Sequence, residues 1–387
     1  MKLPLLTSVA VSHARVLVRV GFDVPTDGRG RVLDAFRIKR GLHTLRWLRR
    51  HRARTILLGH RGQPHGVFRR ALSLRPVART LSQLLGTEVA FLSRQAKELV
   101  PFSRKMRDGD IALLENLRFD IREEQNNTVF AAELARIGDL FVNDDFSTSH
   151  RPHTSLVALP RLLPHVAGST LVEEVAMLER LLRAEQHPFF VVLGGAKVHD
   201  KLGVVRNLLR RVDTIIVGGA SASTLLHAKG YAVGRSLVDT KADRRELGTL
   251  VRSKKIFLPT DLMVAASPHA RNVRAVSIAH ITPSMAAFDI GPETTTRYMR
   301  LLATARTVFW AGSLGYIERR RFCRSTQKLA SCISRRHTFA VAGGGDTIRA
   351  FDALGLSNRF SYLSTGGGAT LTFLAGLPLP GIEALRT

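Results

Sequence analysis

Two lysines that follow a pair of glycines are the residues best placed to do chemistry in this sequence. The apolar segment Phe189–Leu193 predicts a strand, and Gly194 and Gly195 predict a bend after it. Lys197 and Lys201 lie four positions apart, so we expect both ammonium groups on one face of a helix that starts at this bend. The unpaired N–H groups and the dipole of a helix start favour an anion such as a phosphate chain. The alternative is a turn with two solvated lysines, since the glycine spacing matches neither the P-loop nor the GxGxxG pattern.

Glycine-rich segments end further predicted strands in the second half of the chain, at Gly218 and Gly219, at residues 343–347 and at residues 365–368. Glycine has no Cβ, so backbone N–H groups in such loops can approach a ligand closely. Asp346 and Thr347 begin a predicted helix, where a carboxylate can cap the helix or hold a magnesium ion bound to phosphates. The recurrence of these loops predicts a nucleotide-binding half.

Arginine and histidine, rather than glycine, border the predicted strands of the first half. These residues are Arg37, His60, Arg118 and Arg151. A planar guanidinium group suits phosphate and carboxylate recognition, although any one arginine could equally be solvated surface. Their shared placement predicts a basic acceptor domain that faces the nucleotide domain across a cleft. Phosphoryl transfer requires little more than such positioning and charge stabilisation.

Short apolar strand candidates alternate with amphipathic helix candidates along the whole chain, which is typical of parallel α/β architecture. The strand candidates are residues 16–20, 55–58, 89–92, 111–114, 140–142, 191–193, 214–217, 256–258, 307–310, 338–341 and 361–364. Helix candidates include residues 38–50, 74–85 and 171–184. Open α/β sheets bind ligands outside the carboxyl ends of their strands, which is where the glycine, arginine and histidine residues lie.

The chain is strongly basic, with 58 Lys and Arg residues against 31 Asp and Glu residues and a formal net charge of +27. Basic residues cluster on the first predicted helix and just after it: Arg46, Arg49, Arg50, His51, Arg52 and Arg54. Such a cluster could bind nucleic acid or an anionic membrane surface. We favour a solvated face in an arginine-biased proteome, because no compact nucleic-acid motif accompanies the charge.

Other classes of protein are not indicated by the sequence. No apolar run is long enough to span a bilayer, and the first residues show no signal peptide, so we expect a cytoplasmic protein. The spacing of Cys323 and Cys332 fits neither a disulfide framework nor a zinc site, and we expect free thiols.

These residues, in this order, resemble the phosphoglycerate kinase family over essentially the whole chain. The segments that carry the likeness are residues 18–25, 36–38, 114–119, 142–144, 150–151, 193–201, 289–292, 343–347, 364–369 and 379–381. The resemblance implies two Rossmann-like parallel-sheet domains joined by a helix, with a cleft between them. It also implies reversible phosphoryl transfer between 1,3-bisphosphoglycerate and ADP, giving 3-phosphoglycerate and ATP, by a monomer that uses Mg²⁺.

The resemblance assigns roles only where residues match. Arg37 and Lys197 would contact the phosphoryl group in transit, and Arg37, His60, Arg118 and Arg151 would bind the phosphoglycerate. Asp23 is expected to bind it too, although the family has an asparagine there. Lys201 would hold nucleotide phosphates, Glu318 the ribose and Asp346 the magnesium-bound end. The remaining nucleotide-binding residues would be Gly344, Gly345, Thr347, Gly366, Gly367 and Gly368.

The chain of 387 residues is long enough for two domains. We expect an acceptor-binding domain in residues 1–170, a connecting helix and hinge in residues 171–187 and a nucleotide-binding domain in residues 188–370. Residues 371–387 are expected to return to the first domain.

The sequence departs from the family pattern at candidate site positions. Where the family reads Asp-Phe-Asn, this chain has Gly21, Phe22 and Asp23, and Gln63 replaces an expected substrate-binding arginine. Ala311 replaces an asparagine, and Thr372 a usual glutamate. Arg61 could compensate for the arginine missing at position 63, although neighbouring residues usually point elsewhere.

Three functions are therefore compatible with the sequence. The first is a working, divergent phosphoglycerate kinase. The second is a paralogue that has lost this reaction or phosphorylates another acidic acceptor. The third, motivated only by the net charge of +27, is a basic nucleic-acid-binding protein on the same scaffold, whose binding should weaken as salt rises.

Overall fold

The computed structural model describes residues 1–93, 96–183, 185–333 and 337–386. Two units are formed, one by Met1–Ala176 with Pro378–Thr387 and the other by Met177–Leu377. The division between them falls inside a helix, Ser169–Arg183. Ala184 in the predicted hinge and Thr387 in the predicted last segment lie outside the described residues. The predicted domain roles stay predictions.

A six-stranded parallel sheet forms the centre of the first unit. Its strands are β1 (Arg15–Arg19), β2 (Arg54–Leu58), β3 (Val89–Leu92), β4 (Ile111–Leu114), β5 (Leu140–Asn143) and β6 (His165–Ala167). Their order is β3-β4-β2-β1-β5-β6. Val18 of β1 pairs with Leu57 of β2 and with Val142 of β5, so these three strands end side by side. This register brings the residues that follow each strand to one edge of the sheet.

The second unit contains a parallel sheet and a smaller antiparallel one. Its strands are β7 (Phe189–Leu193), β8 (Thr214–Val217), β9 (Ile256–Phe257), β10 (Asp261–Ala265), β11 (Arg274–Ser277), β12 (Ala286–Ile290), β13 (Thr307–Ala311), β14 (Phe339–Gly343) and β15 (Tyr362–Ser364). The six parallel strands have the order β15-β14-β13-β7-β8-β9. β11, β10 and β12 pair antiparallel.

The parallel α/β architecture predicted from the sequence is confirmed in both units. The central strands are buried on both faces, which explains their continuous apolar runs. β6 and the three antiparallel strands were missed. β11 is largely exposed and carries little apolar character, so it gives no strand signal in the sequence.

Helices connect the strands of these sheets, and the amphipathic ones pack with an apolar stripe buried. In the described ranges they are α1 (Phe36–Arg50), α2 (Arg75–Leu85), α3 (Ala96–Lys105), α4 (Ile121–Glu124), α5 (Thr128–Ala135), α6 (Ser169–Arg183), α7 (Leu202–Leu208), α8 (Gly219–Ala228), α9 (Arg244–Arg252), α10 (Pro292–Leu302), α11 (Arg324–Ser331), α12 (Gly345–Ala353), α13 (Gly368–Leu374) and α14 (Pro380–Glu383). On α1, for example, Leu42 and Leu45 are buried while Arg46 is exposed. None of the helices in the described ranges is both long and apolar enough to cross a membrane. Cys323 and Cys332 are free thiols, as predicted.

The contact between Gly138 and Leu17 gives a test of the packing that aligns β1 with β5. A Cβ added at Gly138 would overlap the buried Leu17 side chain, whereas one added at Gly28 meets no atom within 4 Å. We expect Gly138→Ala to lower the free energy of unfolding by about 1–3 kcal/mol through overpacking. The control, Gly28→Ala, should change it by no more than about 0.5 kcal/mol. Urea unfolding measures both, and equal effects would contradict this view of the packing.

Candidate functional site

The two lysines that follow β7 lie on a loop, not on one helix face. Residues 199–201 form a 3₁₀ turn, and α7 begins only at Leu202, so the predicted shared helix face was wrong. Lys201 Nζ instead donates a hydrogen bond of 3.0 Å to the carbonyl oxygen of Lys197. This bond brings the Lys201 ammonium group to the loop that carries Lys197.

Backbone pairing explains why the helix starts late. Gly194 N–H donates to the carbonyl oxygen of Ala311, and Gly195 N–H donates to that of Ser313, each at 2.8 Å. Gly195 also has a φ of +76°, which is outside the helical region. The glycine pair therefore permits close packing of two backbones, and its N–H groups are not left for an anion as the sequence suggested.

A cavity of about 630 Å³ in the second unit brings together most of the predicted nucleotide-binding residues. Its lining includes Lys197, Lys201, Glu318, Gly344, Gly345, Asp346, Thr347 and Gly367. Gly366 and Gly368 do not line it. Ala311, at the end of β13, does line it, so the substitution of asparagine by alanine at this position removes a polar group from the cavity wall.

The apolar wall of this cavity was not predicted. Leu237, Phe288 and Tyr316 contribute to it, and Phe288 belongs to β12 of the antiparallel sheet. An apolar wall beside polar loops suits a flat ring joined to phosphates. No signal in the sequence indicated this wall, because the antiparallel strands were not predicted. Residues far apart in the sequence meet here only once that sheet has formed.

Charge is distributed unevenly around the cavity. Burial lowers the pKa of Lys201, and the nearby carboxylates of Asp200, Asp239 and Asp346 oppose that shift. Asp346 lies in the first turn of α12, as predicted, with a 95% exposed side chain that pairs with Arg349. The hydroxyl oxygen of Thr347 accepts a 2.9 Å hydrogen bond from Gly312 N–H.

One carboxylate at the cavity, that of Asp346, could hold a metal ion together with phosphate oxygens. Among the described residues, no group of three or more His, Cys, Asp or Glu side chains could hold a metal ion. Magnesium is commonly bound through one or two carboxylates plus phosphate oxygens. The exposed carboxylate of Asp346 at the cavity fits that mode.

In the first unit, the predicted acceptor-binding residues converge beside the carboxyl ends of β1 and β2. Arg37 Nη1 donates to the carbonyl oxygen of Asp23 at 3.0 Å, and Gly62 N–H donates to Asp23 Oδ1 at 3.0 Å. Arg118 Nη1 donates to the Gly62 carbonyl oxygen at 2.7 Å. His60 Nε2 lies 4.0 Å from Asp23 Oδ2. The structure thus brings four of the five residues into one network.

Buried nitrogen atoms without hydrogen-bond partners mark this region as a candidate anion site. They are Arg118 Nε, His150 Nδ1 and His153 Nδ1, none of which has such a partner among the described residues. Burial, with the charges of Arg19 and Arg151, lowers the pKa of Arg118 to about 10. Arg151, the fifth predicted residue, has an exposed side chain. Arg118 Nε lies 3.8 Å from Glu124 Oε1 and His153 Nδ1 lies 4.0 Å from Glu123 Oε1, so neither atom is within hydrogen-bond distance of these carboxylates. Buried nitrogen atoms without hydrogen bonds, within a positive field, are suited to an anionic ligand.

Arg61 does not take the place of the arginine missing at position 63. Its Nε donates to the Val24 carbonyl oxygen and its Nη1 to that of Ser73, both at 3.1 Å, and its Nη2 donates to Thr26 Oγ1. The side chain is buried, while Gln63 is exposed. These bonds commit Arg61 to loop structure.

Sequence reasoning missed a buried charge network beside these residues. Arg19, whose side chain is fully buried, pairs with Asp145 at 2.8 Å and donates to Ser155 Oγ at 2.9 Å. Its Nη2 lies 2.9 Å from His60 Nδ1. A charged residue inside the apolar segment of β1 was the available signal, because a buried charge requires partners.

Comparison with known proteins gives one result throughout. The sequence model described as phosphoglycerate kinase matches residues 6–377. Curated relatives named phosphoglycerate kinase include that of Thermomicrobium roseum, 45% identical, and that of Pelotomaculum thermopropionicum, 42% identical; each comparison covers 97% of both chains. The solved structure of phosphoglycerate kinase from Coxiella burnetii is similar with a TM-score of 0.86 and 35% identity, over 100% of this chain and 99% of that one.

The buried imidazole of His153 predicts a loss of stability in acid. Burial, and then the charges of Arg118 and Arg19, lower its pKa from 6.5 to about 3. Between these values the unfolded chain binds one more proton than the folded chain, so the free energy of unfolding falls as pH falls. We expect His153→Gln to remove about 2 kcal/mol of the loss between pH 7.5 and pH 5.

Urea unfolding of the wild type and the variant at both pH values measures this difference. His43→Gln is the control, because the side chain of His43 is exposed. An equal acid loss in wild type and His153→Gln would show that this imidazole is not held neutral in the folded state.

Proposed function

This chain belongs to the phosphoglycerate kinase family, and on that premise we propose how its own residues carry out the reaction. The enzyme is a phosphotransferase with a carboxyl group as acceptor. We propose reversible transfer between 1,3-bisphosphoglycerate and ADP, giving 3-phosphoglycerate and ATP. The observation that carries the proposal is the cavity of the second unit, where Lys197, Lys201 and Asp346 meet glycine-rich loops.

The nucleotide would bind in this cavity. Lys201 supplies positive charge to the phosphates, and the hydroxyl hydrogen of Thr347 is available to donate because its oxygen already accepts from Gly312. Glu318 can accept hydrogen bonds from ribose hydroxyl groups. Asp346 would hold a magnesium ion bound to the phosphates, and that ion would neutralise charge on the phosphate oxygens.

The acceptor would bind in the first unit. Arg118 and Arg151 offer positive charge to the phosphate and carboxylate groups of 3-phosphoglycerate, and His60 offers a ring N–H. Arg37, hydrogen-bonded to the Asp23 carbonyl oxygen, and Lys197 would contact the phosphoryl group as it moves. Positive groups placed there stabilise the charge that develops on the transferring oxygens.

We also propose that the enzyme works as a monomer, as the resemblance implies, and that it is cytoplasmic, as the sequence led us to expect. Its partners would then be the small-molecule substrates with Mg²⁺. Nucleic acid stays a disfavoured alternative, because the net charge is its only support.

Removing either transferring cation gives the direct test. We expect Lys197→Ala and Arg37→Ala each to lower kcat by at least about 10²-fold, because charge stabilisation in the transition state is lost. A coupled assay with 3-phosphoglycerate, ATP and Mg²⁺ measures kcat and both KM values. The exposed residues Lys229 and Arg79 provide matched controls as Lys229→Ala and Arg79→Ala, which should retain turnover. Undiminished turnover in Lys197→Ala or Arg37→Ala would refute the assigned roles.

The departure at position 63 gives a second test. Because Arg61 is committed to loop carbonyl groups, we expect Gln63→Arg to add a charged contact and lower the KM for 3-phosphoglycerate by about tenfold to a hundredfold. Gln63→Met, of similar length but uncharged, is the control. If Gln63→Arg leaves this KM unchanged, the enzyme either uses a different acceptor or does not bind it beside position 63.

A further inference from the structure

The space beside Gly21 is occupied by the carboxylate of Asp145. A Cβ added at Gly21 would lie 2.7 Å from Asp145 Oδ1, 3.2 Å from its Cγ and 3.2 Å from Ser147 Oγ. The backbone of Gly21 does not require glycine, because its φ is not in the left-handed region. The family pattern has an aspartate at position 21. Here the nearest carboxylate comes instead from the loop after the neighbouring strand, β5.

Asp145 is held rigidly in this place. Ser147 Oγ donates to its Oδ1 at 2.6 Å, and Thr148 N–H donates to the same oxygen at 3.2 Å. Its Oδ2 accepts from Thr148 Oγ1 and, at 2.8 Å, from Arg19 Nη1. The side chains of Arg19 and Asp145 are both 0% exposed. A buried pair with this many hydrogen bonds fixes both partners in one geometry.

The pair reaches the candidate acceptor site through His60. Arg19 Nη2 lies 2.9 Å from His60 Nδ1. A guanidinium group only donates, so Nδ1 must accept and the ring proton belongs on Nε2. Nε2 is the atom that lies 4.0 Å from Asp23 Oδ2. A chain of three side chains therefore sets both the tautomer and the direction of the His60 N–H.

We propose that Asp145 has replaced the side chain missing at position 21 as the carboxylate at the end of β1, and that it is a positioning residue for the acceptor. It acts through Arg19 and His60. This inference rests on the proposed function insofar as His60 contacts the phosphoglycerate.

Only one of the two positions can carry a carboxylate. Asp145 leaves too little room for any side chain at position 21, and two carboxylates at this distance would repel each other. Gly21→Asp should therefore be harmful while Asp145 is present and beneficial once Asp145 is removed. Restoring the family residue at position 21 alone would not restore the family site.

The test is a four-variant exchange: Gly21→Asp, Asp145→Ala, the double variant Gly21→Asp/Asp145→Ala, and Asp145→Asn. We expect Asp145→Ala to raise the KM for 3-phosphoglycerate by about tenfold or more and to leave the KM for ATP unchanged. Gly21→Asp alone should lose at least as much. The double variant should recover about tenfold relative to either single variant.

Asp139 provides the matched control. It pairs with Arg15 between β1 and β5 as Asp145 pairs with Arg19, but at the opposite end of the two strands. Asp139→Asn should leave both KM values unchanged. If it shifts the KM for 3-phosphoglycerate as Asp145→Asn does, loss of any β1–β5 ion pair explains the effect and the proposal is overturned.

Nitrogen NMR of the His60 ring gives a readout independent of turnover. We expect Asp145→Asn, which keeps the shape of the side chain, to shift both ring nitrogens of His60, and Asp139→Asn not to do so. The positioning role would be overturned if the His60 signals did not shift. It would also be overturned if the rise in the KM for 3-phosphoglycerate in the double variant were no smaller than the product of the two single-variant rises. A wild-type enzyme without turnover on 3-phosphoglycerate would refute the proposed function alone, and the NMR comparison would still decide the role of Asp145.

Discussion

The buried guanidinium group of Arg19 is the interaction on which the first unit depends. A charge removed from water is tolerated only with a carboxylate and several hydrogen-bond acceptors around it. Asp145 and Ser155, both in the segment between β5 and β6, and His60, in the loop after β2, meet that requirement. The need to pair the buried charge of Arg19 at the end of β1 therefore fixes the positions of the loops that carry the candidate acceptor site.

Close backbone contacts shape the candidate site of the second unit. Close contact between the loops after β7 and β13 needs glycine at Gly194 and Gly312, because a Cβ at either would overlap the opposite backbone. The loop after β7, packed in this way, carries Lys197 and Lys201 at the lining of the cavity. The candidate site of the first unit thus depends on a buried ion pair, and that of the second unit on glycine residues that allow close backbone contact.

The sequence predicted what local pattern determines. Apolar runs located the parallel strands except β6, and glycine or arginine at their ends indicated both candidate sites. Sequence reasoning could not tell whether an arginine binds substrate or stabilises a loop. Arg61 was a candidate for substrate binding, but it donates hydrogen bonds to loop carbonyl groups. Sequence reasoning also missed Asp145, because nothing local shows that this carboxylate lies beside Gly21. Contacts between distant strands were needed to find it.

The crowding between Gly21 and Asp145 limits the order in which this pair could have evolved. A lineage that began with aspartate at position 21 could not gain Asp145 first, because both side chains cannot be accommodated together. In such a lineage, loss of the side chain at position 21 would have to come earlier or at the same time. The same contact opposes the reverse step, because aspartate at position 21 requires Asp145 to move or to be lost. Historical contingency of this kind makes a residue-by-residue transfer of roles between relatives unsafe at such a position.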